Sequence, residues 1–398
     1  MRRLLGLVLF STFVFAEVQT EGYIGFDYQT YSKKDSKHSS NLTLQQQLKL
    51  TYTQDSFSSI IELYAQEDNS DYNSLKDNER SYVRVNELYA QYDFEEDKVL
   101  LGKNIRFWGA LEAVNIVDTF NIQDNRNDPL RTDKIGAYNF EYAHFFEDSE
   151  VSIITKFYEQ KNEFATSSYI YSPLKKNEKL EDKLNSEKSL HRPTVYLTYS
   201  GSLYSNYSLD YAFIYQNGYD SQRYLTKKND TFYEHVYLVN KFMTYNTMVI
   251  DSTLYKLELL YADVIDNKEV SDYVHVALGV EHTLEQLDNG AEIGVIGEYY
   301  YYDTFDKDKF DDLDLSVNFQ NDLFLGLRYS LNDVADTSAV GGVILDTQYD
   351  EQSYYIEYET RVNDMFKIKA DYRYIEPSKT HNTAYAKQGR HQRLGINV

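Results

Sequence analysis

Apolar and polar side chains alternate along most of this chain. Between Leu203 and Gln216 the leucines and aromatic residues fall on one face and the polar residues on the other. The same period of two returns in residues 354–362 and 366–374. Successive side chains of a β-strand point to opposite faces, whereas helical spacing would spread these apolar residues around a cylinder. The pattern therefore predicts β-strands.

The predicted strands are long. Most run about 9 to 14 residues, more than is usual in soluble proteins and suited to a tilted membrane crossing. We place about 18 of them at residues 23–31, 41–53, 58–66, 81–93, 98–106, 135–146, 149–159, 192–200, 203–216, 231–241, 248–262, 271–282, 291–302, 321–331, 339–346, 352–362, 365–375 and 389–398.

The connections between these strands alternate in length. They are short after even-numbered strands, at 54–57, 94–97, 147–148, 200–202 and 363–364. They are mostly longer after odd-numbered strands, at 108–134, 160–191, 217–230, 303–320 and 376–388. Outer-membrane barrels have short periplasmic turns, long external loops and an even strand count. The sequence therefore predicts an all-β fold, a closed antiparallel transmembrane β-barrel. The boundaries at 241–248 and 303–320 are weak, so a barrel of about 16 strands is the alternative.

Tyrosine is unusually frequent, with 40 residues in a chain of 398. Tyrosines are grouped near the ends of predicted strands, as in Tyr299–Tyr302 and at Tyr354 and Tyr355. A phenol ring suits the boundary between lipid and water, so we expect these residues to form aromatic girdles. In a soluble β-sandwich these tyrosines would be ordinary cross-strand packing residues. A sandwich, however, has no reason to alternate short and long connections between successive strands.

The N-terminus predicts export. Met1–Ala16 has two arginines, an apolar stretch and a small residue at its end, which is the pattern of a cleaved secretory signal peptide. The apolar stretch is too short for a membrane-spanning helix. We expect residues 17–398 to form a single barrel domain in the cell outer membrane.

Charge and composition exclude several function classes. The net charge is −23, which argues against nucleic acid as a partner. Without cysteine there is no disulfide or thiolate metal site. The catalytic motifs GxSxG, HExxH and GxGxxG do not occur, and the acidic stretch 124–128 lacks the glycine and glutamate of a calcium loop. We therefore predict no enzymatic activity, cofactor or metal site.

Two segments carry a resemblance to a family. The C-terminal GRHQRLGINV is similar to the assembly signal of Gram-negative outer-membrane porins, although Val398 replaces the usual aromatic residue. Gly102–Arg131, with Trp108-Gly109 and a series of Asn and Asp residues, resembles a stretch of alginate-export-like and uncharacterised proteobacterial porins. The resemblance implies a water-filled channel for passive diffusion of small polar or charged solutes. It also implies contacts with the barrel-assembly machinery, outer-membrane lipid and lipopolysaccharide, and it allows a homotrimer. A structural or adhesin-type barrel with a plugged lumen is the alternative.

The resemblance also implies a constriction, because in general porins the loop after the fifth strand folds into the lumen. Here this loop contains Ile116, Val117 and Phe120, which an external loop has little reason to carry. We expect them to pack on the wall and leave the acidic residues and Arg131 free to face the opening. The alternative is a packed cap without effect on transport. The predicted constriction consists of Arg106, Trp108, Asp118, Asp124 and Arg131.

The last three strands carry basic residues on their polar face, which we expect to line the lumen because Arg or Lys facing the lipid midplane would cost about 2–4 kcal/mol. The predicted basic wall consists of Arg361, Lys367, Lys369, Arg373 and Arg393. Opposite an acidic loop, such a wall would set a transverse field across the opening. The alternative is charge that only hydrates a wide lumen.

Overall fold

The computed structural model describes residues 17–32, 39–73, 79–127, 133–166, 169, 172, 174, 177–284, 287, 290–306, 319–381, 383 and 389–398. The predicted signal peptide Met1–Ala16 and the predicted constriction residue Arg131 lie outside these residues.

Most of the described residues form strands, because β-branched and aromatic side chains alternate with polar ones along them. One short helix, α1 (Asn69–Asn73), follows the third strand. The strands are β1 (Glu17–Tyr31), β2 (Ser40–Gln54), β3 (Phe57–Asp68), β4 (Tyr82–Asp93), β5 (Asp97–Asn104), β6 (Ile122–Asn125), β7 (Lys134–Ile135), β8 (Ala137–Phe145), β9 (Ser149–Lys156), β10 (Glu163–Phe164), β11 (Lys179–Leu180), β12 (Asn185–Ser186), β13 (Thr194–Tyr204), β14 (Ser208–Tyr219), β15 (Tyr224–Lys228), β16 (Thr231–Val236), β17 (Leu238–Ile250), β18 (Thr253–Ile265), β19 (Tyr273–Leu284), β20 (Glu292–Thr304), β21 (Asn321–Ser330), β22 (Ser338–Asp346), β23 (Gln352–Arg361), β24 (Lys367–Glu376) and β25 (His391–Asn397).

Eighteen of these strands form one closed barrel. They are β1–β5, β8, β9, β13, β14 and β17–β25, and each pairs antiparallel with the next one along the chain. β25 then pairs with β1, from Asp27 opposite Asn397 to Tyr31 opposite Arg393, which closes the sheet. Closure leaves no sheet edge to be satisfied at the seam. The predicted closed barrel of 18 strands is confirmed, and the 16-strand alternative is wrong.

The barrel has a short-turn end and a long-loop end, as the parity of the connections predicts. Turns 55–56, 94–96, 146–148, 205–207 and 251–252 lie at one end, together with the somewhat longer connections 285–291, 331–337 and 362–366. Two predicted boundaries are wrong. The turn predicted at 200–202 lies at 205–207, and the chain turns at 251–252 rather than at 241–248. Asp251 has φ 52°, a left-handed conformation that aspartate tolerates better than most residues.

The two faces of the wall differ as the alternation predicts. Outward residues such as Leu101, Phe213 and Leu278 are apolar and more than half exposed, whereas inward residues such as Lys241 and Glu258 are polar and buried. The tyrosine prediction is only partly right. Tyr299 and Tyr301 point outward, but the alternate residues Tyr300 and Tyr302 are buried inside the barrel.

A large apolar cluster fills part of the barrel interior. It combines inward residues of the strands from β8 to β22 with residues of the connection between β5 and β8. The described part of this connection, residues 105–127 and 133–136, therefore lies inside the barrel, as predicted for the loop after the fifth strand. Among the described residues, no helix is long and apolar enough to cross a lipid bilayer.

Candidate functional site

The inward-folded loop leaves the wall directly after β5. Gly109 has φ 145°, a conformation that a side chain would strain. A Cβ atom at this position would lie 2.2 Å from Oδ1 of Asn115, so the bend also depends on close approach across the loop. Oδ1 of Asn115 accepts a 2.9 Å hydrogen bond from the Leu111 amide. Glycine is therefore required where the chain turns into the lumen.

A carboxylate of the opposite wall holds the loop. Glu258 of β18 accepts hydrogen bonds from the backbone amides of Ala110, at 2.7 Å, and Val117, at 3.3 Å. The first and last turns of the loop tip are therefore bound to one buried side chain. Because this carboxyl group is buried, its hydrogen bonds to the loop are stronger than they would be in water.

A second carboxylate holds the middle of the same segment. Glu298 of β20 accepts hydrogen bonds from the amides of Glu112, at 2.7 Å, and Ala113, at 3.0 Å. The Tyr300 hydroxyl donates a 2.6 Å bond to Glu298 and also lies 3.3 Å from the Val114 amide. We call residues 110–117 the docked segment, because all these bonds attach it to β18 and β20.

The underside of the loop is apolar. The Trp108 ring lies 5.7 Å from the Phe120 ring and 5.5 Å from Tyr196 of β13, with edge-to-face geometry in both pairs. Ile116 and Val117 are buried in the same cluster. The expectation that these apolar loop residues pack on the wall is confirmed.

Arg106 and Asp118 lie at the base of the loop. Arg106 forms an ion pair with Glu141 of β8, and its backbone amide donates a 2.8 Å hydrogen bond to Oδ1 of Asn121. Asp118 forms an ion pair with Lys134. Burial raises the pKa of Asp118 above its usual range, against the opposing charge of Lys134.

Asp124 lies deeper, between two arginines. Arg126 contacts it at 2.7 Å, and Arg84 of β4 forms a second ion pair with the same carboxylate. Burial alone would raise the pKa of Asp124, but the hydrogen bonds and charges of Arg126 and Arg84 hold it below its usual range. Asp118 and Asp124 are therefore not free to face the opening as expected, because each has a cationic partner. Arg131 lies outside the described residues.

The predicted basic wall also consists of paired residues. Each cation contacts an acid of a neighbouring strand or turn, with Arg361 at 2.9 Å from Asp336, Lys369 at 2.9 Å from Glu359, Arg373 at 2.8 Å from Glu357, Lys367 against Glu359 and Arg393 against Asp371. Arg361 and Asp336 lie near the short-turn end, away from the loop. The wall therefore carries positive and negative side chains that are paired with one another.

Sequence reasoning missed the residues that connect the loop to this wall. Arg328 of β21 contacts Glu281 at 2.5 Å and also forms an ion pair with Glu112 of the docked segment. It missed the two carboxylates Glu258 and Glu298 as well. A signal was present, because each acid occupies an inward position in a strand that is otherwise mostly apolar.

Comparison with known proteins identifies the fold. No protein-family model matches the sequence, and no curated protein matches it. OccAB1 of Acinetobacter baumannii is similar over 96% of this chain and 95% of its own, with a TM-score of 0.54 and 9% identity. OccK11 (OpdR) of Pseudomonas aeruginosa has the same coverage, a TM-score of 0.53 and 10% identity. Wzi of Escherichia coli, an outer membrane protein involved in group 1 capsule assembly and described as a carbohydrate-binding β-barrel, is similar over 94% of this chain and 84% of its own, with a TM-score of 0.50 and 8% identity.

At such identities the likeness concerns architecture. The narrower resemblance to alginate-export-like barrels stays a prediction. The chain has the fold of porin-type outer-membrane β-barrels.

Proposed function

We propose that this protein is an outer-membrane channel through which small polar or charged solutes diffuse passively. Solutes pass beside the inward-folded loop, between the docked segment and the wall formed by β23–β25. The porin-type fold supports a membrane barrel, and the inward polar faces support an aqueous interior.

One observation carries the proposal. The docked segment is bound to β18 and β20, while its Glu112 is 23% exposed and pairs with Arg328 of β21, which is 38% exposed. Lys369 on β24 is 50% exposed. Charged side chains on both sides of a solvated gap are typical of a pore constriction.

The rest of the proposal concerns assembly. Met1–Ala16 is removed on export, and residues 17–398 insert as one barrel domain. The barrel-assembly machinery recognises β25 at the C-terminus, lipopolysaccharide surrounds the long-loop end, and a homotrimer is the oligomeric state that the porin fold allows. The activity is transport, so no catalytic residue or cofactor takes part.

The test is a planar-bilayer recording on the refolded mature protein, with a loop deletion beside it. The loop is pinched at its base, because the Trp108 amide lies 3.3 Å from Oδ1 of Asp118 and the Arg106 amide 2.8 Å from Oδ1 of Asn121. Residues 110–117 can therefore be excised and the ends joined by a glycine linker. We expect the intact protein to conduct and the deletion to raise single-channel conductance severalfold. Heat-modifiable mobility in detergent gels checks that both barrels are folded.

A plugged structural or adhesin-type barrel is the second candidate. The buried cluster around Trp108, Phe120 and Tyr196 favours it, because such a cluster fills much of the interior. A folded, inserted protein that does not conduct, with or without residues 110–117, would replace the channel by this candidate.

A further inference from the structure

The barrel wall is incomplete at the long-loop end of β4. Pairing of β4 with β5 stops where Leu88 faces Lys103, while β4 itself continues to Tyr82. Beyond Asn104 the chain has turned into the lumen. The β5-facing edge of residues 82–87 therefore pairs with no wall strand, although Gly136 before β8 lies so close that a Cβ atom there would be 2.1 Å from the Asn86 carbonyl oxygen.

Side chains satisfy part of this edge. The Lys103 ammonium donates a 2.6 Å hydrogen bond to the Val85 carbonyl, and Glu87 accepts one of 2.9 Å from the Ile105 amide. The Lys103 ammonium takes the place of a backbone amide donor, so a positive charge lies at the gap. A continuous sheet would have no charge there.

A cavity of about 610 Å³ lies at this gap. Its lining comes from both sides of the wall. Val83 points outward and is 78% exposed, whereas the neighbouring Arg84 points inward to Asp124. Eight of the fifteen lining residues belong to the connection between β9 and β13, so the cavity is a lateral opening between the edge of β4 and this connection.

The lining combines positive charge with apolar surface. Five cations line the cavity, Arg84, Lys103, Arg126, Lys161 and Lys183, against the two acids Glu163 and Asp182. Buried Asp124 is shared by both arginines, so cations still outnumber acids by two (five against three). Val83, Leu184, Leu190 and the Tyr158 ring supply the apolar part.

We propose that this lateral opening binds the acidic headgroup of an outer-leaflet lipid. The headgroup lies against the lysines, and the acyl chains lie outside the barrel over Val83. The lysines reach an acidic group at the level where the apolar outer face ends, as expected for cations at a membrane surface. The inference rests on the proposed membrane location, but not on conductance.

The absence of cysteine from the chain makes a local probe available. A bimane label on Val83→Cys reports contact with brominated acyl chains, and the same label on Val151→Cys of β9 is the outward control. Both proteins are reconstituted in phosphatidylcholine vesicles that contain either brominated phosphatidylglycerol or brominated phosphatidylcholine. We expect the acidic lipid to quench the label at position 83 preferentially, and both lipids to quench equally at position 151.

A charge variant and its matched control sharpen the test. Lys161→Ala/Lys183→Ala removes two lining lysines, whereas Lys179→Ala/Lys188→Ala removes two exposed lysines between β9 and β13 that do not line the cavity. The first pair should lower the preference by about 25-fold, because each lysine near an acidic surface contributes about fivefold. The second pair should leave it unchanged.

The outcomes separate the possible sources. Equal quenching by both lipids at position 83, with normal quenching at 151, overturns the site and leaves the channel intact. Loss of the preference when inorganic phosphate is added at constant ionic strength assigns the site to free phosphate and overturns the lipid. No quenching at either position contradicts the membrane location itself, and with it the proposed function. Conductance of the same samples tests the channel separately.

Discussion

The two sides of the barrel interior differ although their strands follow the same alternating pattern. On the side of β13–β20, inward residues such as Tyr196, Ile214 and Tyr300 are buried under the loop. On the side of β23–β25, inward residues such as Glu357 of β23 and Lys369 of β24 remain partly exposed, whereas Arg393 of β25 is buried. We call these the covered side and the open side.

The comparison shows what an inward position means in this fold. Alternation decides whether a side chain points to lipid or to the interior. Whether the interior is solvated then depends on the loop, because residues 108–120 bury the inward side chains of one side only.

Acidic residues do different work on the two sides. On the covered side, Glu258 and Glu298 accept backbone amides of the docked segment. On the open side, Glu357 and Glu359 pair with the cations of β24. Burying a carboxylate requires full hydrogen bonding, whereas an exposed pair contributes little to stability. Charge on the covered side should therefore affect loop position, and charge on the open side should affect ion selectivity.

Asp124→Asn should reduce the stability of the docked loop more than any other substitution considered. Arg84 and Arg126 would lose a shared, buried partner, and breaking a buried ion pair costs about 3–5 kcal/mol. Trp108, the only tryptophan, lies on the loop and is buried, so its emission should shift to the red as the loop leaves the wall. A urea titration monitored by Trp108 emission measures the loss of stability.

The same pair predicts a pH dependence. The pKa of Asp124 lies below its usual range, so its ionised form stabilises docking at every pH above the ordinary aspartate value of about 4. This stabilisation is lost as the pH falls through the lower pKa of the docked state. Asp336→Asn, on the connection between β21 and β22, removes the partner of Arg361 on the open side and is the control, because Asp336 and Arg361 are 69% and 47% exposed. An equal effect of both substitutions would refute the distinction between the sides.

A smaller effect is expected from Glu258→Gln. The amide keeps one oxygen but replaces the other by a donor, which cannot accept the amide of Ala110 or Val117. Leaving a buried donor unsatisfied costs about 1–3 kcal/mol. Single-channel recordings should show larger current fluctuations, because the docked segment is held less firmly. Glu357→Gln is the matched change on the open side and should leave the fluctuations unaltered.

The sequence predicts the fold better than the site. Alternation and loop parity depend on local residues, so the closed barrel and the inward loop could be predicted. The turn at 251–252 was missed, although aspartate and serine favour turns, because the alternation of the flanking residues continues almost without interruption.

The ion-pair partners of the acidic loop residues could not be predicted from the sequence, for a different reason. Asp124 meets Arg84 from a strand 40 residues away, and no local pattern relates the two. The tyrosines show a similar limit. Tyrosines near a strand end suggest an aromatic girdle. However, successive side chains point to opposite faces, so Tyr300 and Tyr302 lie in the interior. Whether a charged residue of the site is neutralised depends on partners that only the tertiary structure brings close to it.

Asp118→Asn should have a smaller effect than Asp124→Asn, although both acids belong to the same loop. Burial raises the pKa of Asp118, so its charged form is disfavoured in the docked state and docking strengthens as the pH falls through that raised value. Asparagine removes this penalty but also the partner of Lys134, and we expect a net change of about 1 kcal/mol or less. Urea titration of Trp108 emission in both variants gives the comparison. A larger cost for Asp118→Asn would mean that Lys134 depends on its partner as much as Arg84 and Arg126 do.

The smallest stability effect is expected from Lys369→Gln on the open side. Lys369 is half exposed and shares Glu359 with Lys367, so its removal should change stability by less than about 1 kcal/mol. Its charge faces the proposed passage, and without it the local potential becomes more negative. The reversal potential in a salt gradient should therefore move towards cation preference, with the shift reduced at high salt because mobile ions screen exposed charge. Lys188→Gln, on the connection between β9 and β13, removes the same charge outside the barrel wall and should have a weaker effect. If both substitutions shift the reversal potential equally, selectivity follows net charge rather than the open side of the lumen.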